Sequence, residues 1–175
     1  MSFKLTEEQL MIQSMVRDLA REEFAPRAME RDREKRFPAD NLQKLAELGL
    51  MGMMVPPEWG GSGADTVSYV LALAEVAYAC ASTAVVMSVH NSIVCESLLC
   101  YGTEAQKEKY LRPLSAGQII GAFSLTEPNA GSDPARQTTK AVRDGKHWVL
   151  NGSKRFTTTG RNAGLIIVTA KTDAG

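Results

Sequence analysis

The chain has 175 residues, 44% of them hydrophobic and 23% charged, which is typical of a globular protein. Its 20 basic and 20 acidic residues balance, so no overall charge attracts nucleic acid or an anionic membrane, and neither is expected as a partner. Three cysteines without a CxxC pair argue against a disulfide framework, and the acidic start lacks the apolar core of a signal peptide, so a cytoplasmic protein is expected.

The first 120 residues carry helical signals almost throughout. Residues 6–9 (TEEQ) form a capping box, in which the threonine hydroxyl and the glutamine amide satisfy free backbone groups at a helix start. A second helix is expected to begin near Pro38 and to end at Gly49. Residues 56–63 contain too much proline and glycine to be helical and predict a loop.

A long apolar region, residues 67–89, follows this loop. Helices formed by these residues would be apolar on all sides, which predicts a buried helical hairpin and not a membrane span. The break between the two helices is expected near residues 79–82. Gly102 can end the second of these helices. Another capping box at residues 103–106 then starts a short polar helix that ends near Pro113.

After Gly121 the hydrophobic period changes from helical to strand-like. Asp144-Gly145 favours a type I′ hairpin turn, and Asn151-Gly152 repeats the signal. About five strands, joined as consecutive hairpins, are expected at residues 122–125, 138–143, 147–150, 155–159 and 165–170. Such a sheet would end with unpaired edges, so we expect the sequence to be cut short.

Few residues suggest chemistry by themselves. The only histidines, His90 and His147, have no evident metal-ligand partners, and His90 is predicted to be a packed core residue. The sequence contains neither a phosphate-binding GxxxxGK[ST] or GxGxxG loop nor a GxSxG nucleophile motif. Polar stretches at residues 123–133 and 156–160 suit a binding site for a planar polar ligand, although three consecutive threonines also suit a plain strand.

These two stretches resemble a known family. AFSLTEPNAGSD at residues 122–133 resembles the signature of acyl-CoA dehydrogenases, and NGSKRFTTTG at residues 151–160 follows at the family's spacing. The likeness extends to residues 5–9, 56–61 and 101–107, and so to essentially the whole chain. Among subfamilies the chain is most similar to the short-chain, butyryl-CoA type.

The resemblance implies an α+β fold that agrees with the helix-to-strand change. Residues 1–120 would be the family's N-terminal all-α helical bundle domain. Residues 121–175 would be the flavin-binding half of its antiparallel, β-barrel-like middle domain. The family's C-terminal helical bundle would be absent.

The resemblance further implies α,β-dehydrogenation of a short-chain acyl-CoA thioester, with hydride passing to N5 of FAD, as in fatty acid β-oxidation. Ser132 would also reach toward the substrate, and the Thr158 hydroxyl would lie near N5, where electron density rises as hydride arrives. The implied flavin-binding residues are Phe123, Leu125, Thr126, Gly131, Ser132, Phe156, Thr157 and Thr158.

Three positions qualify the resemblance. Phe156 stands where the family often has tryptophan, and Thr159 stands where asparagine is common. Glu127 lies in the signature, but in the family this glutamate is not the base and is expected to be structural. The family's catalytic glutamate comes from the C-terminal bundle, so no catalytic residue is expected in this chain.

Two other functions stay open. The chain could be a non-catalytic helical binding or assembly module, which would be compact and free of flavin, or an acyl-CoA oxidase, which would form peroxide. If it is a dehydrogenase, the family implies an electron-transferring flavoprotein as acceptor and a homotetramer as the complete assembly. The 175 residues alone are then expected to bind FAD poorly.

Overall fold

The computed structural model describes residues 4–172, and the chain divides into two compact units between Ile119 and Ile120. Among its described residues, the first unit has only helical regular structure. Its α-helices, in chain order, are α1 Glu7–Leu19, α2 Ala25–Glu34, α3 Ala39–Glu47, α4 Thr66–Ala79, α5 Ala81–Ser88, α6 Glu96–Tyr101, α7 Glu104–Gln106 and α8 Arg112–Ser115.

Short π-helical segments join several of these helices end to end. Ala20–Phe24 connects α1 to α2, Val89–Cys95 connects α5 to α6, and Lys107–Leu111 connects α7 to α8. A π segment widens the helix by one residue per turn, and such segments often occur where a helix positions functional or buried polar groups.

The predicted helix ends are confirmed. At the start of α1, the Thr6 hydroxyl accepts from the Gln9 backbone N–H at 3.2 Å, and the Gln9 amide oxygen accepts from the Thr6 N–H at 3.0 Å. Gly49 follows α3 with φ of +72°. Cys80 is extended and separates α4 from α5, and Gly102 ends α6.

The apolar region therefore forms a helical hairpin, and α1 packs against α4. The Arg17 guanidinium and the Gln13 amide both donate to Glu75, at 2.7 and 3.0 Å. By length and composition alone, one helix among the described residues, Ala81–Tyr101, could cross a membrane. Core helices meet the same criteria, and 44% of its most apolar stretch is buried.

The second unit contains five strands among the described residues and confirms the α+β class. They are β1 Gly121–Ser124, β2 Lys140–Asp144, β3 His147–Asn151, β4 Leu165–Val168 and β5 Lys171–Thr172. β2 and β3 form an antiparallel hairpin, but β1 pairs with β4, and β2 with β5, in parallel. The prediction of consecutive hairpins is therefore wrong for two of the three pairings.

Two local predictions in this unit are also wrong. The hairpin turn is formed by Gly145 and Lys146, since Asp144 pairs with His147. Only Gly145 has positive φ, at +57°, which is the φ pattern of a type II′ turn and not of type I′. Gly152 has no positive φ, but a Cβ there would lie 2.3 Å from the Thr139 hydroxyl, so close approach is what requires glycine.

The strand predicted at residues 155–159 is also wrong, because this segment is irregular. Phe156 and Thr159 have φ of +55° and +61°, values that no strand residue adopts. The run of threonines favours a strand locally. In the structure, this segment is hydrogen bonded to β1 and to the residues that follow it.

Candidate cofactor site

Two segments of the second unit lie side by side, and they are the two polar stretches of the sequence. The Arg155 N–H donates to the Thr126 carbonyl oxygen at 2.7 Å. The hydroxyls of Ser124 and Thr157 share a hydrogen bond of 2.8 Å, and the Lys154 ammonium donates to the Leu125 carbonyl oxygen at 2.9 Å. The end of β1 and residues 154–157 are thus joined along their length.

Side chains alternate along β1 and its extension. Ala122 and Ser124 are buried, whereas Phe123 and Leu125 are half-buried. Successive residues of a strand face opposite sides, so Phe123 and Leu125 share the more open face. The half-buried Thr126 follows where the strand ends.

Phe156 is the most unusual residue of this region. Its side chain is 87% exposed although it is a large apolar group. Its left-handed backbone conformation is rare for a bulky residue and costs free energy. Arg155 and Thr157 on either side are both hydrogen bonded to the β1 segment, so the surrounding contacts hold Phe156 in this conformation.

The threonines of the site fall into two groups. Thr157 bonds to Ser124, and the Thr159 hydroxyl donates to the Gly121 carbonyl oxygen at 3.1 Å. The hydroxyls of Thr126 and Thr158 make no hydrogen bond with any other residue in the described part of the chain. They are therefore free to bind a ligand.

Gly131 and Ser132 lie in the exposed loop that follows. Within residues 4–172, no hydrogen bond joins this pair to residues 156–158. A Cβ at Gly131 would meet no atom within 4 Å, so the packing of the chain itself does not require glycine there. The structure thus brings six of the eight predicted flavin residues together and leaves this pair on an open loop.

Glu127 is buried and fully occupied. Its carboxylate accepts from the Thr138 N–H and hydroxyl at 2.6 and 2.8 Å, from the Thr139 N–H at 3.0 Å, and from the Lys154 ammonium at 2.9 Å. Hydrogen bonding by Thr139, Thr138 and Lys154 lowers the pKa of Glu127 well below its ordinary value, against the opposing effect of burial. A carboxylate held in this way is a poor proton acceptor.

Lys154 and Ser124 are site residues that the sequence did not single out. Lys154 lies within the 151–160 motif, but nothing in the sequence distinguishes a buried lysine from an exposed one. Its side chain is 11% exposed, and its ammonium also lies 3.2 Å from the Gln137 side-chain oxygen and 3.3 Å from the Thr169 hydroxyl.

Neither His90 nor any cluster of potential metal ligands among the described residues forms a second candidate site. His90 is fully buried, with Nε2 3.1 Å from the Leu114 carbonyl oxygen. Burial lowers its pKa to about 4, so the ring is neutral near pH 7. Among residues 4–172 there is no group of three or more His, Cys, Asp and Glu side chains placed to bind a metal ion.

The profile described as acyl-CoA dehydrogenase, N-terminal domain, matches residues 6–118, and that for the middle domain of the same family matches residues 122–175. The chain therefore belongs to the acyl-CoA dehydrogenase family. It is 45% identical over 173 residues to the short-chain specific acyl-CoA dehydrogenase of Clostridium acetobutylicum, covering 99% of this chain and 46% of that protein.

Solved structures agree in fold. Butyryl-CoA dehydrogenase from Megasphaera elsdenii is 39% identical with a TM-score of 0.94, covering 99% of this chain and 46% of that one. A glutaryl-CoA dehydrogenase from Mycobacterium smegmatis, solved in complex with FADH2, is 35% identical with a TM-score of 0.93, covering 98% and 44%. The chain thus spans less than half the length of these relatives.

Proposed function

We propose that the chain contributes the flavin-binding segments of a short-chain acyl-CoA dehydrogenase. The observation that supports this most directly is the direct joining of residues 124–126 to residues 154–157. The aromatic ring of Phe156 and the unpaired hydroxyl of Thr126 lie on the paired segments, and the unpaired hydroxyl of Thr158 directly follows them.

The side chains suit an isoalloxazine ring, which is flat and apolar in the middle and polar along its pyrimidine edge. Phe156 offers an exposed aromatic face, and aromatic faces stack on planar rings. The hydroxyls of Thr126 and Thr158 have no partner among residues 4–172 and can bond to ring nitrogens and oxygens. The residues present therefore fit the cofactor.

Each residue has a proposed role. Phe123 and Leu125 line the ring, and Thr126 bonds to the pyrimidine edge. Phe156 and Thr157 cover the opposite face, while the Thr158 hydroxyl bonds to N5. Gly131 and Ser132 continue the wall, and Ser132 also contacts the thioester substrate.

Bound FAD would accept hydride from the β carbon of the acyl-CoA. The protein holds the ring and excludes water. The Thr158 hydrogen bond to N5 stabilises the electron density that arrives there. We propose no residue of this chain as the base that removes the α proton, since the hydrogen bonds of Glu127 leave it a poor proton acceptor. Electron-transferring flavoprotein and a homotetrameric assembly are proposed from the family.

A hybrid enzyme tests this proposal. The 175 residues would replace the matching part of the Clostridium acetobutylicum enzyme, whose remaining sequence completes the protein. We expect the purified hybrid to be yellow, to lose its visible absorbance on addition of butyryl-CoA, and to reduce an artificial electron acceptor. The parent enzyme is the positive control.

The outcome against the proposal is a hybrid that is folded by circular dichroism but colourless and unable to take up added FAD. Such a result would favour a non-catalytic helical module. Hydrogen peroxide formed in step with substrate oxidation would instead favour an acyl-CoA oxidase.

A further inference from the structure

Lys154 and Glu127 have the most heavily hydrogen-bonded side chains among the described residues of the second unit. The Lys154 ammonium lies within 3.3 Å of four oxygens, those of the Leu125 carbonyl, Glu127, Gln137 and Thr169. An ammonium has three hydrogens, so these acceptors satisfy it fully. The acceptors come from three separate segments, which follow β1, precede β2 and follow β4.

A buried ion pair such as Lys154 and Glu127 often adds little net stability to a fold. Taking the two charges of Lys154 and Glu127 out of water costs free energy that their attraction often fails to recover, and apolar residues of similar size frequently do as well. The bonds of this pair are, however, directional. One of them ends on the Leu125 carbonyl, next to Thr126.

The residues after Lys154 continue this connection. Arg155 donates to the Thr126 carbonyl, and Thr157 bonds to Ser124, so Phe156 lies between two fixed neighbours. The three bonds join residues 154, 155 and 157 to residues 125, 126 and 124, respectively. The Lys154 bond is the first of them and the only one made by a charged group.

We propose that Lys154 is a positioning residue: held by Glu127, Gln137 and Thr169, it fixes residues 124–126 against residues 155–157 and so sets the placement of Thr126 and Phe156. Its relevance to flavin rests on the function proposed above. The fixing of the two segments is a property of this chain and can be tested without any cofactor.

Amide hydrogen exchange of the 175-residue chain, followed by NMR, tests the proposal. In Lys154→Met, the Arg155 amide, which donates to the Thr126 carbonyl oxygen, should exchange at least tenfold faster, while the amides of the β2–β3 hairpin change less than twofold. Lys146→Met, which removes an exposed lysine in the hairpin turn, is the matched control and should change neither group. Equal acceleration throughout the second unit, or none at Arg155, would overturn the proposal.

Lys154→Met leaves the buried charge of Glu127 unpaired and could unfold the unit. The second variant, Lys154→Met/Glu127→Gln, removes both charges together. Fast exchange of the Arg155 amide should persist in this double variant, because the Lys154 bond to the Leu125 carbonyl is still missing. Recovery of slow exchange there would show that the lysine only neutralises the glutamate, and would overturn the proposal.

Adding FAD at millimolar concentration to the unmodified chain separates the two proposals. Shifts of the Thr126 and Thr157 amide resonances that are lost in Lys154→Met would connect the positioning to flavin binding. If FAD shifts no resonance of the unmodified chain, the exchange result still decides the role of Lys154, and the hybrid enzyme decides the flavin proposal.

Discussion

The left-handed conformation of Phe156 supports the binding role proposed for this residue. A non-glycine residue in this region costs roughly 1–3 kcal/mol and persists only where its surroundings impose it. An exposed ring contributes little to folding that could offset this cost, since hydrophobic stabilisation requires burial. Strain combined with exposure therefore suggests that the ring serves a ligand and not the core of this unit.

Two substitutions of Phe156 separate strain from ring contact. Phe156→Gly removes both, whereas Phe156→Ala removes the ring but keeps most of the strain. We expect the glycine variant to be more stable than the alanine variant by about 1 kcal/mol. Urea unfolding followed by the fluorescence of Trp148, which lies in the same unit, measures this difference.

In the hybrid enzyme both variants should bind FAD about tenfold more weakly, because stacking is lost in each. Phe156→Trp preserves a stacking surface and should bind FAD nearly as well as the unmodified hybrid. Unchanged FAD affinity in Phe156→Ala would show that the ring has no part in the site.

Residue identities in the motif could be predicted, but residue environments could not. The resemblance assigns Phe156, Thr157 and Thr158 to a flavin site. The burial of Lys154 and the positive φ of Thr159 depend on contacts with residues 27–38 positions earlier, such as Glu127 and Gly121. No local pattern in the sequence encodes these contacts.

At the scale of elements, predictions succeeded where the signal is local. Both capping boxes formed because threonine and glutamine three residues apart satisfy each other's backbone groups in any helix start. The parallel pairing of β1 with β4 joins residues 44 positions apart. Only the complete sheet determines such pairing, and this explains why consecutive hairpins were predicted wrongly.

The π-helical segment Val89–Cys95 places a buried imidazole in the core, which makes the first unit sensitive to pH. The pKa of His90 is about 6.5 in the unfolded chain and is lowered to about 4 in the folded protein, mainly by burial. Between these values the unfolded chain binds a proton that the folded chain does not. Stability should therefore be complete above pH 6.5 and fall as the pH drops toward 4.

From pH 7 to pH 5 this difference in proton binding lowers the free energy of unfolding by about 2 kcal/mol. Urea titrations at the two pH values, followed by Trp59 fluorescence in the first unit, measure it. The carboxylates with lowered pKa, among them Asp40, Asp65 and Glu75, lose their contributions to stability only below the ordinary pKa range of carboxyl groups. The loss of stability between pH 7 and pH 5 is therefore assigned to His90. An equally large loss in His90→Gln would contradict the assignment.

For the molecule as a whole, the exposure of the candidate site limits what the 175 residues can do alone. The Phe156 ring is 87% exposed, and Gly131 and Ser132 lie on an open loop. Tight binding of a small molecule generally requires a concave site that buries most of the ligand surface. A flavin resting on this open face would leave much of its surface in water.

The isolated chain should accordingly bind FAD at least a hundredfold more weakly than the hybrid enzyme, a difference of about 2.7 kcal/mol in binding free energy. Quenching of flavin fluorescence on titration with each protein measures both affinities under the same conditions. The isolated Phe156→Ala chain shows how much of any weak binding involves the exposed ring. Stoichiometric, tight FAD on the isolated chain would mean that residues 4–172 enclose the flavin more completely than the exposure of Phe156 indicates.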